Sequence, residues 1–386
     1  MNQPITSYFC PTRIIMGAGS HRRLPEFLTE FKATKVFAVV DAALLKTGFT
    51  SEIFAMLKSS GIEHALFSDI EPDPSADSVG KALAISRSLN AELVLAIGGG
   101  STIDVAKAVA IVSANGGRIH DYEGIEKFSI PPLPLIAVPT TAGTGSEVSG
   151  SCVITDTARG LKMSIRHAAL NPARIAILDP LALTTVPPSV ASHSGLDAFV
   201  HAFESYLSRN ASPFTDAVNL HAIRLISTNL RPFVANPEQA DAAMSLLCGS
   251  ALAGMAFGQT GLGNVHCMAR FVGARYHLPH GLSNALCLPV VARFNLMAAP
   301  EKYAEVARAM GCKVEGLTTR QAADLAVESI LELCADLGIP RHLRAVGLQE
   351  DHIQELAELC YGAGYNRWNP RATSVRDFVE LFKLAY

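Results

Sequence analysis

Residues 93–101 read Leu-Val-Leu-Ala-Ile-Gly-Gly-Gly-Ser, an apolar run that ends in three glycines and a hydroxyl. No polar residue interrupts it. As a strand it must therefore be buried on both faces, which happens in parallel sheets covered by helices. Residues 102–113 then take up helical spacing. Strand, tight turn and helix in that order are the unit from which α/β folds are built. Ser101 reads as the helix N-cap, with Asp104 three residues on to close the cap.

The same grammar recurs through the first half. Residues 35–40, 65–67 and 135–138 read as further strands, and residues 76–89 as an amphipathic helix. Near Pro187 and Pro188 the texture changes. From residue 192 onward the patterns are helical, over 196–208, 213–230, 240–257, 303–310, 319–337, 350–361 and 374–384. The fold class expected is an α/β N-terminal domain, residues 1–186, followed by an all-α C-terminal domain, residues 187–386.

Composition narrows the function classes. With 386 residues, 49% hydrophobic and 17% charged, the chain has enough apolar surface for two cores. Its formal net charge is −3 and no basic run occurs, so nucleic acid is not an expected partner. Eight dispersed cysteines form no CxxC pair, which suits reduced thiols and a cytoplasmic location. Residues 1–15 lack the basic-then-apolar pattern of a secretory leader. Residues 242–269 carry no Asp, Glu, Lys or Arg, a length that could span a bilayer. Five glycines, Gln259, Asn264 and His266 within it favour a buried helix followed by a glycine-rich turn, so a soluble protein with no membrane partner is expected.

The glycine turn also has a chemical reading. Three glycines let the backbone approach an anion, with free N–H groups and a helix dipole aimed at it. The spacing is not GxGxxG, so the ordinary dinucleotide fingerprint is absent, and a turn that binds nothing is the plain alternative. A second loop of small residues, Pro-Thr-Thr-Ala-Gly-Thr-Gly-Ser-Glu at 139–147, follows the next strand. Ligands of open parallel sheets bind outside strand C-termini, so two such loops together are stronger evidence than either alone. Asp41 ends the first long strand. A carboxylate there would bind an adenosine ribose and repel a 2′-phosphate, favouring NAD over NADP, or would simply cap the next helix.

In the second half histidine carries the signal. Asp197 and His201 are four residues apart in a helical stretch and share a face, as do His193 and Asp197. His266 follows the glycine-rich turn and His280 lies in Leu-Pro-His-Gly at 278–281. One carboxylate and three imidazoles suit Fe(II), Zn(II) or a similar ion with an open position. Spacing alone does not choose between His193 and His201. No HExxH is present, and with twelve histidines several must simply pack.

Taken together these residues resemble the iron-containing (group III) alcohol dehydrogenases. The strings concerned are Gly-Gly-Gly-Ser-Thr-Ile-Asp-Val-Ala-Lys at 98–107, residues 139–147, Gly-Leu-Asp-Ala-Phe-Val-His-Ala-Phe-Glu at 195–204, and His266 through Pro-His-Gly at 279–281. All four stand in the family's order and spacing, over nearly the whole chain. The resemblance implies a dinucleotide-binding α/β domain, a helical domain, and an active site in the cleft between them. It implies metal ligands Asp197, His201, His266 and His280, leaving His193 out. It further implies cofactor contacts from Asp41, Asp73, Gly99, Gly100, Ser101, Thr102, Thr140, Thr141, Thr144 and Lys162. Residues 9–19 look like the family's N-terminal strand pair, which often joins two subunits, and a homodimer is expected.

The activity so implied is metal-assisted hydride transfer between NAD(H) and a primary alcohol or aldehyde, with Fe(II) the expected metal and Zn(II) the alternative. Because the imidazoles must be neutral to bind, activity is expected to fall at acid pH. One position departs from the family, which commonly carries a second histidine four residues after the ligand His266; here it is Arg270. A guanidinium one helical turn from the metal suits an anionic group on the substrate, a small molecule bearing a carboxylate, sulfonate or phosphonate. A cofactor pyrophosphate or a structural carboxylate are its other possible partners. Competing activities are a hydroxyacid–oxoacid transhydrogenase that retains its NAD and a lyase on the related dehydroquinate-synthase scaffold. A nucleotide-binding protein without catalysis would have no use for four metal donors.

Overall fold

The structure, a computed structural model, describes residues 7–386. Of the N-terminal stretch read above for a leader, residues 1–6 lie outside the described residues. The chain divides into two units, one of residues 9–141 and 145–186, the other of Ala142–Thr144 and Pro187–Tyr386 together with residues 7–8.

The first unit runs β1 (Arg13–Met16), α1 (Leu24–Glu30), β2 (Lys35–Val40), α2 (Gly48–Ser59), β3 (Glu63–Phe67), α3 (Ala76–Leu89), β4 (Leu93–Gly98) and α4 (Gly100–Asn115). It continues with β5 (Gly124–Ile125), β6 (Leu135–Pro139), β7 (Ser151–Asp156), β8 (Leu161–Arg166) and β9 (Ile175–Leu178). Six strands form one parallel sheet in the order β1-β9-β6-β4-β2-β3. Side chains alternate along each strand, and here both faces are covered. Val36, Ala38, Val40, Leu93, Leu95 and Ile97 pack on one side with Leu24, Phe27, Ile53 and Leu57 of α1 and α2. Phe37, Val39, Val94 and Ala96 pack on the other with α3 and α4. Burial of each such branched or aromatic side chain contributes about 1.5–3 kcal/mol, which is why these strands read as unbroken apolar runs.

The remaining strands form a small sheet, β5-β8-β7, in which β7 and β8 are antiparallel. The sequence carries no clear signal for this hairpin. The strand pair expected over residues 9–19 is corrected: only Arg13–Met16 is a strand there, lying parallel to β9 at the sheet edge. The capping expectation at 101–104 is corrected too. Helix α4 starts earlier, at Gly100, with Gly99 in the cap position. Ser101 Oγ donates to Pro72 O at 2.5 Å, and Asp104 accepts from Ser146 Oγ (2.6 Å) and Val153 N (2.9 Å) instead of closing a cap.

The second unit is helical: α5 (Pro188–Leu207), α6 (Pro213–Ala235), α7 (Ala240–Thr260), α8 (Asn264–Tyr276), α9 (His280–Asn295), α10 (Pro300–Ala309), α11 (Thr319–Asp336), α12 (Ile353–Gly362) and α13 (Val375–Ala385). Helix α5 packs against α6, α7 and α9, and every residue from Gly195 to Leu207 is buried. A helix apolar all round belongs at the centre of a unit. That makes the polar residues on it, Asp197, His201 and Glu204, the ones that need an explanation. Helix α7 and residues 280–298 are long and apolar enough to cross a membrane, but more than half of each stretch is buried inside the fold.

Candidate metal centre and dinucleotide loops

Asp197 lies at the hub of the helical unit's polar cluster. Its Oδ2 is 3.8 Å from His201 Nδ1, one turn along α5. Its Oδ1 is 3.7 Å from His266 Nε2 on α8 and 3.6 Å from His280 Nε2 at the start of α9. One donor atom each from Asp197, His201 and His266 lies within 4.8 Å of the others, and all three residues are buried. Ion–donor distances of about 2.1 Å would put tetrahedral donors about 3.4 Å apart, close to the 3.6–3.8 Å at which the three imidazoles stand from the Asp197 oxygens. Burial adds a second observation. His201 Nδ1 and His266 Nε2 are enclosed with no hydrogen-bond partner, a cost that ligation would remove.

The three buried groups differ in charge. Burial pushes His201 down to about 3, so its imidazole is neutral with a free lone pair. Burial works against ionisation of Asp197, but His201, His280 and His266 outweigh it and hold the carboxyl well below its usual range. Burial likewise opposes protonation of His266, and the neighbouring Asp197 and Glu204 carboxylates override it, raising this group to about 9, so an arriving ion must displace a proton from this ring. His201 is held by stacking on Phe257 of α7 (centroids 4.4 Å apart) and by a hydrogen bond with the backbone of Gly143. His280 is the outward member, its side chain 47% exposed.

Two residues of this cluster escaped the sequence reading. Glu204 accepts hydrogen bonds from His266 Nδ1 (2.7 Å), Val265 N (2.6 Å) and His266 N (3.3 Å). Asn284 Nδ2 donates to Asp197 Oδ1 (2.6 Å) and His280 Nε2 (3.1 Å). Both carry a spacing signal, Glu204 seven residues after Asp197 and Asn284 four after His280. His193 is outside the cluster, half-buried, with its carbonyl against Gly281, where a Cβ would lie only 2.2 Å from that oxygen.

Helix α8 places Arg270 one turn beyond His266. It is partly buried, with its guanidinium 5.9 Å from the Phe271 ring, and among the described residues no carboxylate pairs with it. The structural carboxylate considered for it is therefore not found among the described residues.

In the α/β unit, β4 and β6 are neighbours, with Gly98 opposite Pro139, so the two small-residue loops leave the C-terminal end of the sheet side by side. Thr140 N donates to Gly98 O at 3.1 Å, and a Cβ on Gly99 would lie 3.1 Å from Thr141 Oγ1. Gly98 admits no Cβ either, which would fall 2.3 Å from Thr102 Oγ1; Thr102 is buried beneath the turn and shapes it from below. Gly99, Gly100, Ser101, Thr140 and Thr141 thus share one rim. Asp41, at the end of β2, caps a short turn through Ala43 N (2.9 Å). Asp73 and Lys162 pair with each other at 2.6 Å. Thr144 belongs with the helical unit. Lys162 sits on β8, in the missed hairpin.

A doubly covered parallel sheet with two small-residue loops on one rim, together with a carboxylate–imidazole metal cluster in a helical unit, defines a nucleotide- and metal-dependent oxidoreductase. The profile of iron-containing alcohol dehydrogenases matches residues 11–180, and that of the Fe-containing alcohol dehydrogenase family, C-terminal, matches residues 191–386. The chain is 36% identical to the NAD-dependent methanol dehydrogenase of Bacillus methanolicus, over 99% of this chain and 100% of that protein. It is 34% identical to the sulfoacetaldehyde reductase of Bilophila wadsworthia, over 97% and 98%. A crystal structure of 1,3-propanediol oxidoreductase superposes with TM-score 0.96 at 37% identity, covering 99% of this chain and 100% of that one. The chain belongs to the iron-containing alcohol dehydrogenase family and is an NAD-dependent oxidoreductase of that class.

Proposed function

We propose that this protein transfers a hydride between NAD(H) and a primary alcohol or its aldehyde at a divalent ion held by Asp197, His201, His266 and His280. The observation that carries this is the pair of buried ring nitrogens without a hydrogen-bond partner, His201 Nδ1 and His266 Nε2, beside the Asp197 carboxylate. Fe(II) is the expected ion and Zn(II) the alternative, since both accept this donor set. The bound ion supplies Lewis acidity toward an alcohol or carbonyl oxygen. Asp197 contributes the one negative charge, and the neutral imidazoles contribute lone pairs without adding charge. Backbone N–H groups of the Gly99–Ser101 turn, at the positive end of α4, offer the cofactor's pyrophosphate an anion site. The Asp41 carboxylate disfavours a 2′-phosphate, in keeping with NAD.

Arg270 supports one substrate class over the others. A guanidinium one turn from a metal ligand, with no carboxylate partner among the described residues, suits an aldehyde or alcohol that carries an anion. The relative named for sulfoacetaldehyde, itself a sulfonate-bearing aldehyde, supports this reading. Charge-assisted hydrogen bonds of this kind contribute about 1.5–3 kcal/mol. Arg270→Ala should therefore raise KM for carboxylate- or sulfonate-bearing aldehydes by about 10- to 100-fold and leave neutral aldehydes nearly unchanged. Equal loss on both would reject the assignment.

The test of the whole reading is NADH absorbance during turnover of neutral and acidic aldehydes and alcohols, with enzyme prepared anaerobically with Fe(II), with Zn(II), or with chelator. Stoichiometric, metal-dependent NADH change is the expected result. Turnover without net NADH change would point to transhydrogenation or lyase chemistry instead. We further propose a cytoplasmic homodimer. Eight free cysteines suit a reducing compartment, and light scattering on the purified protein reads the subunit number.

A further inference from the structure

We infer that Glu204 is a positioning residue for the metal ligand His266, an inference that rests on the metal reading above. The Glu204 side chain is 3% exposed, and each of its oxygens is committed. Oε1 accepts from Val265 N; Oε2 accepts from His266 N and from the His266 ring at Nδ1. Gly263 lets the backbone come this close, since a Cβ there would lie 2.9 Å from Glu204 Oε1. The carboxylate thus caps the first turn of α8 and grips the imidazole that this turn carries.

The chemical consequence concerns the ring. A ring nitrogen that donates to a carboxylate must keep its proton, so Nδ1 is the N–H and Nε2 the lone pair. Nε2 is the atom enclosed without a partner, 3.7 Å from Asp197 Oδ1. Glu204 therefore decides which nitrogen faces the ion and holds the ring plane there. Asp197, His201 and Glu204 follow one another at four and three residues on α5, so they line one face. A single helix carries two ligands and the group that orients a third. Outer hydrogen-bond partners of this kind change metal affinity by about 10- to 100-fold when removed.

The test measures the Zn(II) dissociation constant by chelator competition for the wild type, Glu204→Gln and Glu204→Ala, with the melting temperature of each metal-free protein alongside. Glutamine keeps an acceptor oxygen but loses the second one and the charge. Zn(II) affinity should fall about tenfold in Glu204→Gln and up to about a hundredfold in Glu204→Ala. In Zn(II)-loaded wild type with ¹⁵N-labelled histidine, NMR should find the His266 proton on Nδ1. Folded variants that keep the wild-type constant, even with a lowered melting temperature, would reduce Glu204 to a helix cap and overturn the inference. So would a proton on Nε2 in the loaded wild type, a measurement that decides the matter even if neither variant folds. Wild type that binds no Zn(II) would instead remove the metal reading itself.

Discussion

Glu147 is the residue at which the fold carries a charge problem. It is 2% exposed, its Oε1 has no partner, and burial raises its pKa to about 7 against the pull of its own backbone and of Lys107. The raised value means the folded state resists ionisation. Below about pH 4.5 folded and unfolded chains are both protonated and the residue is neutral in effect. As pH rises from 4.5 to 7 the unfolded chain ionises first, and the stability lost grows to about 3 kcal/mol. Glu147→Gln should thus match wild type in urea unfolding at pH 4.5 and exceed it by about 1–3 kcal/mol at pH 8. A difference independent of pH would contradict the assignment. Gly281 is the opposite case, a residue with no room. A Cβ would meet the His193 carbonyl at 2.2 Å, backbone against backbone. Gly281→Ala should cost about 1–3 kcal/mol in denaturant unfolding and weaken Zn(II) binding, because the shifted turn carries His280. Single residues were partly legible in the sequence. The Asp197–His201 spacing was visible, yet His193 stands at the same interval on the other side. Only the packing of α9 against α5 shows that His193 offers its carbonyl to Gly281 while Asp197 faces the imidazoles.

Among the elements, strands β2, β4 and β6 were legible because burial on both faces leaves an unbroken apolar run. Helices α8 and α9, which carry His266 and His280, were not. Both mix glycine, histidine and cysteine, and α9 holds Pro289 in its interior. Each is packed on more than one side, so no clean polar stripe marks it. The β7–β8 hairpin was missed for a different reason: its alternation is short, and the apolar Val153 faces solvent. Helix α13 shows what a legible end looks like. Ser374 Oγ accepts from Asp377 N at 3.2 Å, and Asp377 Oδ2 accepts from Ser374 N at 2.8 Å. Ser374→Ala should remove about 1 kcal/mol, read as a lower midpoint in urea with an unchanged slope.

At the scale of the whole molecule, a buried cluster of like donors is a liability until something binds it. A ligand that binds the native state alone stabilises it by RT ln(1 + [L]/Kd), about 2.7 kcal/mol at a hundredfold excess over Kd. Chelation should therefore lower the melting temperature by several degrees, and Zn(II) or Fe(II) should restore it. Asp197→Asn should abolish that recovery, since it removes the only negative charge among the four donors. An unchanged melting curve in chelator would count against the site. The change of texture near Pro187 was readable because strand-like alternation stops there. The association of Ala142–Thr144 with the helical unit was not, because it is a matter of tertiary packing within a loop that follows a strand of the other unit.

The parallel sheet also dictates an order of events during synthesis. Strand β1, among the first residues described, is seated only by β9, with Arg13 opposite Ile175 and Met16 opposite Leu178. Strand β9 in turn inserts between β1 and β6. A ribosome that has made β2, β3, β4 and β6 has thus exposed an unfinished sheet whose open edge at β6 waits for residues still unmade. The first strand stays tethered and unpaired for most of that time. Long-range parallel pairing of this kind closes late and slowly, and the uncovered edge is where a stalled or truncated chain would stick to its neighbours.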